Sequence, residues 1–282
     1  MKIAYLILAF KNPDQVARLV TRLNNENTFF MVHYDKKSPL HEYRRLVDCL
    51  RHLSNVHFME RYKTYWAHFS NLYVQLRGIE EIIEKRIPFD YLTYTTGQDY
   101  PIKPSQEILD FLEKNDKKLF LRCYPISAIW GAGGWSRIER YHIRIPGIPR
   151  FLYRVPFLKR RLPKGYEFFG GSAYWWFTKE CIQYIHNHIR ENPSFLDFFK
   201  YGRSVVEIFF HTVVLNSPFK KSVVNDDLRY IVWPWKGSPH PVTFDKSHFE
   251  KIARSPKLFA RKFDMRLYPE ILDMIDKELL HL

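Results

Sequence analysis

The chain has 282 residues, 46% of them apolar and 17% aromatic, which is enough apolar material for one large α/β domain or two small ones. Its formal net charge of +14 favours anionic partners such as nucleic acid, acidic membrane surfaces or phosphorylated substrates. Cys49, Cys123 and Cys181 are far apart and form no Cys/His motif, which argues against a zinc site or a disulfide framework.

The distribution of charge and hydropathy narrows the choice of partners. The sequence contains no long Lys/Arg run and no RNA-binding signature, so dedicated nucleic-acid binding is the weaker interpretation. The apolar run before Lys11 has only about eight residues, too few for a signal-peptide core with its cleavage site or for a membrane span. The sequence therefore predicts a cytoplasmic protein whose basic surface is compatible with peripheral contact to the inner face of a membrane.

Strands and helices alternate over the first 123 residues. Periodicity predicts strands at 2–9, 28–34, 56–59, 91–95 and 119–122, and helices at 13–23, 41–53, 68–85 and 105–113. This alternation predicts an α/β fold with a mostly parallel sheet flanked by helices, which binds ligands at the carboxyl ends of its strands. Asp35 and Asp99 both follow predicted strands, although each could instead stabilise a turn or helix end.

The second half of the chain has a different pattern. Residues 124–168 are rich in Gly, Pro, Trp and Arg and predict a substrate-facing insertion with a helix at 135–141. After it we predict strands at 168–177, 221–224 and 228–232, and helices at 179–188, 194–199, 205–215, 247–254 and 268–280. No repeat or linker is present, so we expect a single domain over 1–282, with a nucleotide-binding half at 1–123 and an acceptor and catalytic half at 124–282.

Five segments together resemble one enzyme family. They are HYDKKSP at 33–39, TTGQDYPIK at 95–103, GGSAYWWFTKECIQYI at 170–185, SVVEIFFHTVVLNSPF at 204–219 and SPKLFARKFD at 255–264. In this order they resemble the core-2/I-branching β-1,6-N-acetylglucosaminyltransferase family, which also contains peptide O-xylosyltransferases. The resemblance implies a GT-A-like fold and an inverting transfer from UDP-GlcNAc or UDP-xylose without a divalent metal.

One feature of the sequence bears on whether the transfer uses a divalent metal. Metal-dependent GT-A enzymes hold Mn²⁺ or Mg²⁺ with an Asp-X-Asp triplet, because hard cations require oxygen ligands. This sequence has no Asp-X-Asp, and Asp226-Asp227 is its only adjacent Asp pair. We therefore expect no metal and no cofactor, and we expect Lys and Arg side chains to neutralise the leaving UDP.

The resemblance also implies a general base. Inverting transfer needs one base that deprotonates the acceptor hydroxyl as it attacks the anomeric carbon. The family's base is the Glu of a Ser-Pro-Asp-Glu segment, which here reads Ser204-Val205-Val206-Glu207. Glu207 is thus the predicted catalytic residue, although Val-Val replaces Pro-Asp. The alternative is a carboxylate that is favoured only by a helix N-terminus.

The family's diphosphate site falls near the end of this chain. Lys262, in LFARKFD, is expected to contact the diphosphate. The family's Arg falls at Pro239 in this sequence and is therefore missing. Arg261, Lys236 and His240 are the candidates to replace it, and Arg261 is preferred.

The first half of the chain carries the expected uridine and donor-sugar contacts. Asp35 matches the acidic residue that binds the nucleoside, and Trp66 falls where an aromatic ring stacks on uracil. Leu8 and Ala9 are expected to border the base. Asp99 is expected near the donor sugar, with a turn-forming role as its equal alternative.

The acceptor side is less well defined by the sequence. Trp233 and Trp235 match aromatic positions that contact the acceptor sugar, with core packing as the alternative. Glu139 lies in the segment where the family holds its acceptor, but the spacing around it differs from that of mucin-type enzymes. We therefore expect a surface polysaccharide or other glycan, or a lipid-linked sugar, as acceptor. A peptide O-xylosyltransferase is the second interpretation, and a non-catalytic protein that binds polyanions or carbohydrates is the third.

Overall fold

The structure, a computed structural model, describes residues 1–145, 153–235, 237–238 and 240–282. Its strands are β1 Ile3–Ala9, β2 Thr28–Tyr34, β3 Val56–Phe58, β4 Tyr91–Thr96, β5 Asp99–Pro101, β6 Leu119–Pro125, β7 Arg140–Ile143, β8 Tyr153–Lys159, β9 Phe169–Thr178, β10 Val223–Val224, β11 Arg229–Ile231 and β12 Phe259–Arg261. Its α-helices are α1 Pro13–Leu23, α2 Leu40–Leu50, α3 Ser70–Glu84, α4 Ser105–Lys114, α5 Ile126–Trp130, α6 Ala132–Glu139, α7 Lys179–Glu191, α8 Pro193–Phe199, α9 Phe209–Leu215, α10 Phe249–Ala253 and α11 Pro269–Glu278. Short 3₁₀ turns occur at Val205–Glu207, Pro218–Ser222 and Lys246–His248.

The chain forms two compact units, each built from segments that are distant in sequence. Unit 1 comprises Met1–Arg61, Pro88–Asp116 and Leu228–Leu282, and unit 2 comprises Tyr62–Ile87 and Lys117–Asp227. These boundaries differ from the predicted halves, because the C-terminal segment returns to pair β12 with β5. The single domain expected over 1–282 stays a prediction.

Unit 1 contains a four-stranded parallel sheet in the order β4-β1-β2-β3. Every residue of β1 is buried, as the apolar run at the start of the sequence predicts for a central parallel strand. Helix α1 begins at Pro13, where a proline costs no hydrogen bond, and buries Val16, Leu19, Val20 and Leu23 at helical spacing. The parallel order brings the carboxyl ends of β1, β2 and β4 to one edge.

Unit 1 also contains a small sheet in the order β11-β12-β5, of which only β11 was predicted. Strand β12 runs parallel to β11 and antiparallel to β5. Strands β5 and β12 have three residues each, too few for periodicity to reveal, and their partners are distant in sequence. This sheet fixes the position of Arg261.

Unit 2 is built on an aromatic core. Strand β6 runs parallel to β10 and antiparallel to β9. The Trp175 ring on β9 stacks on Phe177 at 4.7 Å between ring centroids and lies 5.1 Å from Phe210 of α9. A Cβ on Gly171 would lie 1.8 Å from the Arg122 carbonyl oxygen, so the strand requires glycine there. Part of the aromatic excess in the composition is therefore core.

Several predicted elements of unit 2 are corrected. The helix predicted at 205–215 is interrupted at Ile208, where the 3₁₀ turn ends with φ −131° and α9 begins only at Phe209. The helix predicted at 135–141 is α6, which ends at Glu139 because the next residue starts the unpredicted β7–β8 hairpin.

The predicted α/β class with a mostly parallel sheet and flanking helices is confirmed. In unit 1, the helix predicted at 247–254 is a 3₁₀ turn followed by the short α10. Among the described residues, no helix combines the length and the apolar composition that are needed to cross a bilayer.

Candidate active site

The carboxyl ends of β1 and β2 bring three predicted donor residues together. Leu8 and Ala9 end β1, and the Asp35 backbone N–H donates to the Ala9 carbonyl oxygen at 2.8 Å. The buried Asp35 carboxylate accepts a hydrogen bond from the Lys37 backbone N–H at 2.7 Å, and its other oxygen lies 3.6 Å from Lys37 Nζ. Asp35 thus supports a local turn, and its predicted contact with the nucleoside stays a prediction.

A buried glutamine holds the neighbouring strand end in place. Gly97 follows β4, and a Cβ there would lie 2.8 Å from Val16 Cγ2, so a larger residue would not fit. The Gln15 side-chain amide donates to the Gly97 carbonyl oxygen at 2.7 Å and to the Phe263 carbonyl oxygen at 3.3 Å. Gln15 therefore ties the turn after β4 to the segment that carries Lys262.

Arg261 is held by a buried carboxylate. Strand pairing places Arg261 opposite Asp99, and its guanidinium donates to Asp99 Oδ1 at 3.2 Å and to Thr96 Oγ1 at 2.5 Å. Asp99 is fully buried, and its Oδ2 accepts from Thr95 Oγ1 at 2.9 Å and from the Thr96 N–H at 2.6 Å. The geometry therefore favours a positioning role for Asp99, and its contact with the donor sugar stays a prediction.

Lys262 is a partly buried cation beside other cations. Burial lowers the pKa of Lys262, Arg261 and Lys11 lower it further, and Asp264 opposes them. Lys11 donates to Asp264 Oδ2 at 2.5 Å, whereas no carboxylate among the described residues pairs with the Lys262 ammonium. We call Lys11, Arg261 and Lys262 the cationic cluster. A partly desolvated cation in this setting gains most from an anionic ligand such as a diphosphate.

The predicted base lies on a rigid turn of unit 2. Glu207 ends the 3₁₀ turn, and its backbone N–H donates to the Ser204 carbonyl oxygen at 3.0 Å. Ser204 has a left-handed backbone with φ 51°, and its N–H donates to the Ala67 carbonyl oxygen at 2.7 Å. Glu207 lies two residues before Phe209, the first residue of α9, and its role as the base stays a prediction beside the helix-terminal alternative.

An arginine on α6 holds the Glu207 carboxylate. The Arg137 guanidinium donates to Glu207 Oε2 at 2.5 Å and lies 3.8 Å from the centre of the Trp130 ring. The Trp130 ring in turn lies against Gly170, where an added Cβ would be 2.4 Å from it. The Arg203 backbone N–H donates to the Arg137 carbonyl oxygen at 2.8 Å. We call Trp130, Arg137, Arg203 and Glu207 the base cluster.

Burial and neighbouring cations have opposite effects on the pKa of Glu207. Burial raises the pKa of Glu207, and the nearby Arg137 and Arg203 cations oppose this rise without cancelling it. About a third of the side chain (34%) is nevertheless exposed, so a substrate can reach it. A carboxylate that is desolvated, oriented and accessible has the properties of a general base.

Trp66 lies in the same unit as the predicted base. It precedes Ala67, which binds the turn before Glu207, and the Arg203 guanidinium lies 5.9 Å from its ring centre. Trp66 is 45% exposed. Trp66 belongs to unit 2 and Asp35 to unit 1, so the predicted uracil stacking stays a prediction.

The predicted acceptor residues fall in both units. Trp233 and Trp235, in unit 1, are 51% and 64% exposed, so the alternative of core packing is excluded. Glu139 ends α6 in unit 2 and is partly buried. The acceptor contacts of these three residues stay a prediction. Lys236 and Pro239, named with the missing diphosphate arginine, lie outside the described residues, and His240 is exposed.

Two features of the site were not recognised from sequence. Gln98 is buried, and its side-chain N–H₂ group has no acceptor among the described residues. Gln15 bridges two segments in a way that only the fold reveals. The described residues contain no group of three or more His, Cys, Asp or Glu side chains arranged to hold a metal ion. Metal independence stays a prediction.

The α/β fold thus carries the cationic cluster in unit 1 and a partly buried carboxylate, Glu207, in unit 2. The family model of the core-2/I-branching enzyme matches residues 3–254. The chain therefore belongs to the core-2/I-branching enzyme family, as its motifs predict.

The chain is also similar to curated proteins and to a solved structure. The chain is 28% identical to xylosyltransferase 2 of Rattus norvegicus over 98% of its length, and 25% identical to xylosyltransferase 1 of Homo sapiens over the same share. It spans about a third of the length of these curated relatives, 33% and 30% respectively. The galactosyltransferase LgtC, solved with donor and acceptor sugar analogues, superposes with a TM-score of 0.44 at 10% identity over 92% of this chain and 86% of LgtC.

Proposed function

We propose that this chain is an inverting, metal-independent glycosyltransferase of GT-A-like fold that moves a sugar from a UDP-sugar to an acceptor hydroxyl. The observation that carries the proposal is the Glu207 carboxylate, which Arg137 holds at 2.5 Å and whose pKa burial raises. A member of the core-2/I-branching family with such a carboxylate has the one group that single-displacement transfer requires.

The proposed reaction is a single displacement. The acceptor oxygen attacks the anomeric carbon from the side opposite the phosphate, and its proton passes to the Glu207 carboxylate. The bond between the anomeric carbon and the phosphate oxygen breaks, and UDP leaves with the electron pair. One displacement inverts the anomeric configuration.

The cationic cluster is proposed to stabilise the leaving group. Arg261 is fixed by Asp99, and Lys262 lies in a setting that disfavours an isolated positive charge. Two cations placed at a diphosphate would supply the charge that a divalent metal supplies in other transferases. Leu8, Ala9, Asp35 and Trp66 are proposed to bind the uridine, and Trp233, Trp235 and Glu139 the acceptor.

The donor sugar is proposed to be GlcNAc or xylose, and the acceptor a glycan or lipid-linked sugar. A second candidate is peptide O-xylosyl transfer, because the similar curated proteins are named xylosyltransferases. The two candidates differ in the acceptor hydroxyl, which belongs to a sugar in the first and to a serine in the second.

A transfer assay in EDTA tests the proposal. UDP-GlcNAc and UDP-xylose are each offered with a set of glycan acceptors and a serine-containing peptide, and the anomeric configuration of the product is read by NMR. We expect an inverted product that Glu207→Gln abolishes. Retention of configuration, or transfer only with added Mn²⁺, would contradict the mechanism. Binding of glycans without any transfer would favour a non-catalytic protein.

A further inference from the structure

The β7–β8 hairpin of unit 2 contains an unusually large bulge. Arg140 pairs with Lys159 and His142 pairs with Arg154, and the register shifts between these two pairs. Between these pairs β7 contributes only Tyr141, whereas β8 contributes Val155 to Leu158. The extra residues of β8 must leave the ladder, as in any bulged strand.

The bulge exposes apolar side chains. Phe157 is 94% exposed and has a left-handed backbone with φ 68°, a conformation that bulky residues rarely adopt. Leu158 is 58% exposed, and Ile143 and Ile145 on the β7 side are each more than a third exposed. A cluster of exposed apolar groups on one small element marks an interaction surface rather than part of a core.

The same hairpin is strongly basic. Between Glu139 and Glu167 the sequence contains eight Lys or Arg residues and no Asp or Glu. Arg154, Lys159, Arg161 and Lys164 are exposed, and none of them forms an ion pair with another described residue. The partner of this surface must therefore be anionic as well as able to bury apolar side chains.

We propose that this hairpin binds the surface of an anionic lipid bilayer, with Phe157 and Leu158 inserted at the headgroup level and Arg154, Lys159 and Arg161 against the lipid phosphates. A bilayer surface accommodates both the exposed apolar side chains and the cations, because apolar side chains enter the acyl boundary while cations contact the headgroups. A nucleic acid or an anionic polysaccharide would engage the cations but leave Leu158 and Ile143 in water. The proposal goes beyond the transfer reaction and does not depend on Glu207.

Sedimentation with lipid vesicles tests this surface. The intact chain is mixed with vesicles of equimolar phosphatidylglycerol and phosphatidylcholine, or with vesicles of phosphatidylcholine alone. We expect binding to the anionic vesicles and much weaker binding to the neutral ones. Each cation near an anionic surface changes the affinity about five-fold, so Arg154→Glu/Lys159→Glu/Arg161→Glu should weaken binding on the order of 100-fold.

A control triple variant has the same net charge as the triple variant of the hairpin. Lys114→Glu/Lys221→Glu/Lys251→Glu makes the same charge change at exposed positions elsewhere and should weaken vesicle binding far less. Phe157→Ser/Leu158→Ser should remove the part of the binding that persists at high salt. Calorimetry of UDP binding, together with circular dichroism, reports whether each variant keeps its fold and its donor site.

Three outcomes would overturn the proposal. The first is that the two triple variants lose vesicle binding equally, and the second is that the intact chain does not bind anionic vesicles at all. The third is that Phe157→Ser/Leu158→Ser abolishes self-association in sedimentation velocity but leaves vesicle binding unchanged, which would assign the surface to a second copy. Failure of UDP binding by the intact chain would count against the transferase and not against this surface.

Discussion

The two units contain functional candidates of opposite charge. Unit 1 gathers the cations Lys11, Arg261 and Lys262 and holds two of them with carboxylates, leaving the Lys262 ammonium without a carboxylate among the described residues. Unit 2 places one carboxylate, Glu207, among arginines and aromatic rings. We propose that the first arrangement binds a highly charged anion and that the second keeps an acid in a position to accept a proton.

In each unit, the surroundings shift the pKa of the proposed functional group, Lys262 in unit 1 and Glu207 in unit 2. Burial lowers the pKa of Lys262 and raises the pKa of Glu207, so each group is less stable in its charged form than in water. A bound diphosphate would favour the charged lysine, whereas a proton from the acceptor would favour the neutral acid. Each destabilised charge is thus matched to one event of the proposed reaction.

Removing the base should have the largest effect. Glu207→Gln keeps the shape of the side chain but cannot accept a proton, so we expect kcat to fall about 10²- to 10⁴-fold. UDP affinity should be unchanged, because the proposed diphosphate contacts belong to unit 1. Steady-state kinetics and UDP calorimetry measure the two effects separately. The control is Glu180→Gln, an exposed acid of unit 2; an equal loss in the control would refute the assignment.

Removing the lysine of the cationic cluster should have the next largest effect. A hydrogen bond to a charged group contributes about 1.5–3 kcal/mol, so Lys262→Ala should weaken UDP binding roughly 10- to 100-fold. Lys262→Arg should keep most of the UDP affinity. Because burial lowers the pKa of the lysine, the arginine variant should also keep its positive charge, and therefore its UDP binding, to a higher pH than wild type. Lys251→Ala, on the exposed face of α10, is the control. Unchanged UDP affinity in Lys262→Ala would remove Lys262 from the site.

The buried His211 of unit 2 should make the stability of the protein depend on pH. His211 is fully buried, and burial lowers its pKa to about 3, whereas a histidine in an unfolded chain titrates near 6.5. Below pH 6.5 the unfolded state binds a proton that the folded state rejects, so stability falls with pH, by about 2 kcal/mol at pH 5. Urea unfolding at pH 7 and pH 5 should show a smaller difference in His211→Gln than in wild type. Exposed His41→Gln should match wild type.

Changing the partner of the base should have the smallest effect, visible as a shift in pH dependence. Arg137 lowers the pKa of Glu207 against the effect of burial, so Arg137→Met should raise that pKa. The acidic limb of the kcat/KM profile should then move to higher pH, while the rate above that limb changes little. Exposed Arg190→Met should leave the profile in place. A uniform loss of rate at every pH would indicate only a structural role for Arg137.

Local sequence patterns predicted the elements whose partners are near in sequence. The buried run at 2–9 and the Pro13 helix start were predictable because periodicity and proline geometry act within a few residues. The strands β5 and β12 were not predicted, since each is stabilised by a partner more than a hundred residues away. The interruption at Ile208 was missed because an apolar run does not distinguish a 3₁₀ turn from a helix.

The candidate site residues could be named from the sequence, but the hydrogen bonds between them could not. The family motifs identified Glu207 and Lys262 as candidates, yet nothing in the sequence pairs Glu207 with Arg137 or Arg261 with Asp99. These pairs depend on the antiparallel register of β5 and β12 and on the position of α6 beside the 3₁₀ turn. The exposure of Trp233 and Trp235 also required the structure, because their sequence is as compatible with a core as with a surface.

Calorimetry of UDP binding tests the central claim most directly, because it needs neither the acceptor nor the donor sugar. UDP is titrated into the wild-type chain and into Lys262→Ala, first in EDTA and then with Mn²⁺. The proposed transferase should bind UDP in EDTA, should bind it no more tightly with Mn²⁺, and should lose affinity in Lys262→Ala. Binding that appears only with Mn²⁺ would contradict the metal-independent mechanism, and no binding in either condition would contradict a UDP-sugar-dependent transferase.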